Sequence, residues 1–195
     1  MNKLIWFCIL VSSTLSAQRF DLRSGKFENL KDIKEYNMVF DYASIKIHGY
    51  DTEGEYLIDK MKKREKVEGK AEKFREDWFA YRKELYEPAF INYFNKVFKK
   101  GEVKVGVVPE ARYTMSIKTT WVYPGYNAAT AIEPAKISAV ISVFETANPN
   151  TVLLSVAFDK SIGLEHELSN TLGDRISWAY ERLAKNFTIQ LKRVL

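Results

Sequence analysis

Apolar and polar residues alternate with period two from Met38, where Met38, Phe40 and Tyr42 oppose Val39 and Asp41, and again where Ile45 and Ile47 alternate with Ser44, Lys46 and His48. Such alternation predicts strands. The phase slips by three between Tyr42 and Ile45, which predicts a bulge or break near Ala43-Ser44. Upstream, from Gln18 to Asn37, the apolar residues Phe20, Leu22, Phe27, Leu30, Ile33 and Tyr36 are scattered through a polar stretch that reads as a docked lead-in.

After the turn-like His48 to Gly54, with Thr52 placed to cap a helix, a long charged helical region is predicted from Glu55 to Lys100. Its first part, Asp59 to Asp77, carries few apolar residues besides Met61, Val67 and Phe74, so it should pack weakly, with Gly69 an interruption. Its second part is rich in anchors, and Pro88 either kinks one helix or opens another. Lys99-Lys100-Gly101 supplies the stop.

Strands follow at Val103 to Val108 and at Tyr113 to Trp121, where Tyr113, Met115, Ile117 and Trp121 share one face against Ser116, Lys118 and Thr120. Ile137, Ala139, Ile141 and Val143 repeat the pattern, and Asn148-Pro149-Asn150 is expected to turn the chain into Val152 to Phe158, making an antiparallel hairpin. Past Gly163, Leu172, Ile176, Tyr180, Leu183, Phe187 and Leu191 step by four or three along one helical stripe. The order β-α-β-β-β-α predicts an α+β two-layer sandwich, its sheet mixed or antiparallel and its helices on one face.

The first seventeen residues change the picture of where the chain works. Lys3, the apolar run Leu4 to Val11 and the small polar stretch Ser12 to Ala17 form the n-, h- and c-regions of a signal peptide, too short for a permanent membrane anchor. Cleavage there removes 17 of 195 residues and leaves a single domain, residues 18–195, that is exported to the periplasm or beyond. The lone cysteine, Cys8, leaves with the signal, and its place inside the apolar run does not suit lipid attachment, so neither thiol chemistry nor a stable membrane anchor is expected. Losing Lys3 lowers the formal charge from +5 to +4, and the remaining charges are interspersed. The densest basic stretch, Lys60 to Lys66, contains Lys62-Lys63-Arg64 but runs on into Glu65, Glu68, Glu72 and Glu76 and reads as a solvated helix face, so no nucleic-acid partner is expected.

The element order, the Pro/Gly loop Val122-Tyr123-Pro124-Gly125-Tyr126 after the strand Tyr113 to Trp121, and the hairpin and closing helix resemble the small envelope domains related to the N-terminal domain of TolB and to auxiliary lipoproteins of ABC-type transport systems. The segments Tyr36 to Tyr42 and Arg175 to Tyr180, with the Leu15-Ser16-Ala17-Gln18 junction, also resemble uncharacterised secreted proteins of Bacteroides-type bacteria. The resemblance implies envelope association and contacts with another envelope protein. It carries over no catalytic residue.

Chemistry is sparsely signalled. The two histidines, His48 and His166, lie apart and outside any HExxH pattern, so no metal or other cofactor is expected and both read as surface residues. There is no Gly-rich phosphate loop and no GxSxG elbow, and carboxylates such as Asp41, Glu110 and Asp159 offer no reason to choose a pair. An enzyme is therefore not expected. The most site-like feature is the aromatic run Trp121, Tyr123 and Tyr126 around Pro124-Gly125, able to form a platform for a sugar ring or a partner's side chain. Because Trp121 continues the Tyr113, Met115, Ile117 face in strict period two, it is expected to fill the core, leaving the tyrosines outside. The leading expectation is a non-enzymatic protein that docks an envelope partner; the alternative is a small-ligand or glycan-binding module built on residues 121–127.

Overall fold

The alternation of Phe20, Leu22 and Ser24 with Asp21 and Arg23 makes a strand rather than a docked lead-in, as a computed structural model describing residues 20–99, 101–128, 131–164 and 171–195 shows. The segment expected to be a signal peptide, Lys100 and the Glu165-His166-Glu167 stretch lie outside the described residues. This first strand, β1 (Phe20–Gly25), runs antiparallel along the chain's final strand. A 3-10 turn over Phe27–Leu30 then drops Leu30 into the core before β2 (Glu35–Asp41).

The phase slip after Tyr42 is a break. The Asp41 carboxylate accepts the Ala43 N–H at 2.8 Å, closing a local turn, and the chain resumes as β3 (Lys46–Ile47). Thr52 caps α1 (Glu53–Lys62), its hydroxyl accepting the Glu55 N–H at 3.1 Å. Gly69, in the left-handed conformation, separates this helix from α2 (Lys70–Tyr81). Pro88 neither stops the helical run nor sharply divides it: a wider π-type turn over Arg82–Tyr86 leads directly into α3 (Glu87–Val97), which carries the proline in its first turn. A proline lacks the N–H and crowds the carbonyl four residues back, and widening the preceding turn relieves both.

The remaining strands are β4 (Lys104–Gly106), β5 (Tyr113–Tyr123), β6 (Tyr126–Ala128) and β7 (Ala131–Glu133), which pair as a separate two-stranded ribbon, then β8 (Lys136–Glu145) and β9 (Asn148–Ile162). The β8–β9 turn is Thr146 and Ala147, not Asn148 to Asn150. Thr146 fixes it there, donating its N–H to the Arg112 carbonyl and its hydroxyl to that of Ala111. Pro149 falls where the β8–β9 register shifts, a place that tolerates a residue with no ladder donor.

The strands form one seven-stranded mixed sheet in the order β1-β9-β8-β5-β2-β4, with β3 beside the end of β5. The pairs along β1-β9-β8-β5 are antiparallel, whereas β2 and β3 run parallel to β5, and β4 parallel to β2. The closing helix, α4 (Leu172–Leu191), begins at a capping box between Thr171 and Asp174. Its Ile176, Tyr180, Leu183, Phe187 and Leu191 are fully buried, on the order of 10 kcal/mol of transfer free energy together. Phe187 meets Phe158 of the sheet and Phe94 of α3, while the Tyr180 hydroxyl pairs with that of Thr119 at 2.6 Å. The molecule is an α+β two-layer fold, helices on one face of a mixed sheet.

Candidate functional site

Bulges on both flanks of one residue, Ser138, shape the opposite face of the sheet. On one side β5 carries Thr120 as an extra residue between the pairs Thr119 with Ala139 and Trp121 with Ser138. On the other, β9 fits both Asp159 and Lys160 between the pairs Phe158 with Ala139 and Ser161 with Ile137. The insertions are tied down by polar bonds. Thr120 donates to the Ser138 carbonyl at 3.1 Å, and the Ser138 hydroxyl donates to Asp159 at 2.7 Å while accepting the Lys160 N–H at 3.0 Å.

A bulge flips the phase of everything beyond it. Val122, only 2% exposed, therefore takes the core position expected of Trp121, and Trp121 turns outward with Tyr123. The strict period-two reading of Trp121 as a core residue is overturned for that reason. Lys160 sits at φ 48°, a left-handed backbone costly for a residue with a Cβ, and its ammonium reaches a point 6.0 Å from the Trp121 ring.

Trp121 and Tyr123, two residues apart on one face, present near-parallel rings, 6.4 Å between centroids and 14° between planes. His48 stands edge-on to both, at 5.7 and 5.0 Å, its backbone N–H donating to the Val122 carbonyl at 2.8 Å. Lys136 lies 5.1 Å over the Tyr123 ring and pairs with Glu133 at 2.8 Å. The Tyr123 hydroxyl donates to the other Glu133 oxygen at 2.7 Å. Partial desolvation, then the Glu133 carboxylate, push the Tyr123 phenol up to about 12, while the Lys136 ammonium and the Tyr123 hydroxyl hold Glu133 below the usual carboxylate range. The resulting cleft, about 320 Å3, is lined by His48, Trp121, Tyr123, Glu133, Lys136 and Lys160.

Tyr126 does not join the pair. It is 45% exposed beyond Pro124-Gly125, on the far side of Tyr123. Gly125 sets that separation: its φ is +64°, and a Cβ there would lie 2.3 Å from the Glu133 carbonyl oxygen, so β6 and β7 close tightly against the end of β5. Sequence reasoning missed Glu133, Lys136 and Lys160, which reach the cleft only through β7, β8 and β9, and it placed His48 on the surface without its aromatic neighbours. The spacing of Trp121 and Tyr123 held the signal for a shared face, once the face was known to point outward.

The carboxylates singled out in the sequence are dispersed among other partners: Asp41 faces Lys118 at 3.8 Å, and Asp159 accepts from Ser138. Among the described residues no group of three or more His, Cys, Asp or Glu side chains is placed to hold a metal, and no described helix is long and apolar enough to cross a membrane. A larger cleft, about 420 Å3, lies beside β1 and shares Thr120, Ser138 and Asp159 with the double bulge, but lacks the paired rings.

Fold and site together define an α+β domain with an aromatic cleft on the helix-free face of its sheet. No protein-family model matches the chain, and no curated protein matches it. Among solved structures it is similar to dodecameric PelC from Paraburkholderia phytofirmans, at 14% identity and a TM-score of 0.37 over 85% of this chain and 97% of that one. A variant of the same dodecamer gives 13% identity and a TM-score of 0.36 over 86% and 99%. These similarities are too distant to bear on the site.

Proposed function

We propose that the protein is an exported, non-enzymatic binding module that seats a saccharide against Trp121 and Tyr123. The outward turn of this near-parallel aromatic pair is the observation that carries the reading. The C–H face of a pyranose ring packs well on aromatic planes, and two-χ side chains lose little entropy in holding them. Lys160, Lys136, Glu133 and His48 ring the pair with donors and acceptors for sugar hydroxyls. Export rests on the signal pattern of the first seventeen residues, and a place in the cell envelope on the resemblance to secreted and envelope domains.

Docking of an envelope protein is the second reading. It is favoured by β1, which ends the sheet, is exposed throughout, and offers Phe20 and Leu22 at 41% and 46% exposure. Titration of neutral and acidic oligosaccharides against the protein separates the two. We expect Trp121→Ala and Tyr123→Ala each to weaken sugar binding at least about tenfold while leaving the melting midpoint near that of the parent. Failure of every sugar to bind, together with recovery of an envelope protein whose capture depends on β1, would replace this reading with docking.

A further inference from the structure

The larger cleft beside β1 abuts the aromatic one across the double bulge. Thr120 and Asp159 line the first, and the residues next to them in sequence, Trp121 and Lys160, line the second. The floor of the larger cleft is low because its residues are small: Asp21 of β1 stands in register with Ala157 of β9, and Ala157 with Val140 of β8. Its far wall is β1. Arg23 is the extra residue where the β1–β9 register shifts, and it lines the cleft together with Asp21. Both are exposed, and among the described residues neither side chain is engaged in a hydrogen bond or ion pair.

Trp121 on β5 and Asp21 on β1 are separated by β8 and β9. Three strand intervals of about 4.8 Å put them about 14 Å apart across the sheet, a distance that a disaccharide falls short of and a trisaccharide or tetrasaccharide covers. The charges along this path balance. Glu133, Asp159 and Asp21 stand against Lys136, Lys160 and Arg23 in the described lining of the two clefts, and Glu133 with Lys136 is already an ion pair. The path therefore carries no net charge to attract an ionic substituent. Its carboxylates can accept from sugar hydroxyls and the Arg23 guanidinium can donate to them, through charge-assisted bonds stronger than those between neutral groups.

We infer that the ligand is an uncharged linear oligosaccharide longer than a disaccharide, one end lying on Trp121 and Tyr123 and the other held through its hydroxyls by Asp21 and Arg23 in a second subsite beside β1. This rests on the saccharide reading above. Between the two ends the chain crosses Thr120, Ser138 and Asp159, whose bonds to one another keep the saddle rigid before any ligand arrives. Each cleft lies near the lower end of the range for small-ligand sites, about 300–1,000 Å3, so one sugar chain fills both more readily than two separate ligands would.

Calorimetric titration of the purified protein with cello-, malto- and chito-oligosaccharides, each from the monosaccharide to the hexasaccharide, tests the inference, with trigalacturonate as the acidic comparison. In the series that binds, affinity should rise at least about tenfold from disaccharide to tetrasaccharide and level off beyond it. Raising salt from about 0.1 to about 1 M should change it less than about twofold. D21A/R23A should bring the tetrasaccharide down to the affinity of the disaccharide, while the disaccharide's own affinity and the melting midpoint stay put; D21N and R23Q, each expected to remove part of the same gain, serve if the double variant unfolds. Affinity that ignores chain length, or a gain that survives D21A/R23A, overturns the second subsite and leaves the platform reading standing. Trigalacturonate binding about tenfold more tightly than every neutral sugar overturns the uncharged assignment. Binding of no sugar at all removes the platform reading, and this inference with it.

Discussion

Trp121 and Val122 exchange the places that simple alternation assigns them, and that exchange makes two opposite stability predictions. Val122→Ala should cost about 2 kcal/mol, since it empties a buried position beneath the sheet. Trp121→Ala should cost less than about 1 kcal/mol, because the ring it removes lies on the outer face. Denaturant midpoints at unchanged m-value measure both, and a larger loss for the tryptophan would return it to the core. Lys160 supplies a sharper case. Its left-handed backbone favours glycine, so Lys160→Gly should stabilise the fold by about 0.5 kcal/mol while weakening ligand binding at the Trp121 cleft. Neither bulge was legible locally, because Thr119-Thr120-Trp121 and Asp159-Lys160 are regular strand sequences until Ser138 pairs with both.

The helical layer was more legible. The α4 stripe, the Thr52 cap and the Gly69 break all stand where periodicity and capping chemistry put them, because each depends on residues within one or two turns. What escaped was long-range: β1 finds its partner only in β9, and its short alternation gives no hint of that neighbour. Glu53 is another such tie. From the first turn of α1 its carboxylate accepts the Trp78 indole N–H at 2.7 Å and pairs with Arg82, clamping α1 to α2 and the π turn. Both members of the ion pair are largely shielded, so Glu53→Ala should cost about 2–4 kcal/mol in chemical denaturation. An effect under about 0.5 kcal/mol would show that the clamp adds nothing. In hydrogen exchange, residues 59–77 should lose protection before α4, fastest through the exposed turns between α1 and α2. Protection there equal to that of α4 would contradict the weak packing of this stretch.

Across the whole molecule, the α+β class was readable from the succession of periods, since a two-layer fold needs only one apolar face on each element. The interior it builds is unusually phenolic, and that sets a pH limit. Tyr36, Tyr56, Tyr86 and Tyr180 are all at most 4% exposed, and burial raises the pKa of each, Tyr56 to about 12, Tyr36 and Tyr180 further, and Tyr86 well above the ordinary phenol value. A group whose folded pKa is raised contributes stability that is fully present below its unfolded value and disappears as pH climbs toward the folded one. Above about pH 10 the unfolded chain releases these protons and the folded chain keeps them, so stability falls by about 1.4 kcal/mol per tyrosine for each further pH unit. Four such groups would exhaust a stability of about 5–15 kcal/mol within about one to three units. Tyrosinate absorbance followed alongside far-UV circular dichroism should therefore show the buried phenols ionising in one cooperative step that coincides with loss of the fold, between about pH 11 and 13. Phenols that titrate gradually while the helices and sheet persist beyond about pH 13 would mean that these rings are reached by water in the native state, and the tightly closed layer between α4 and the sheet would have to be redrawn.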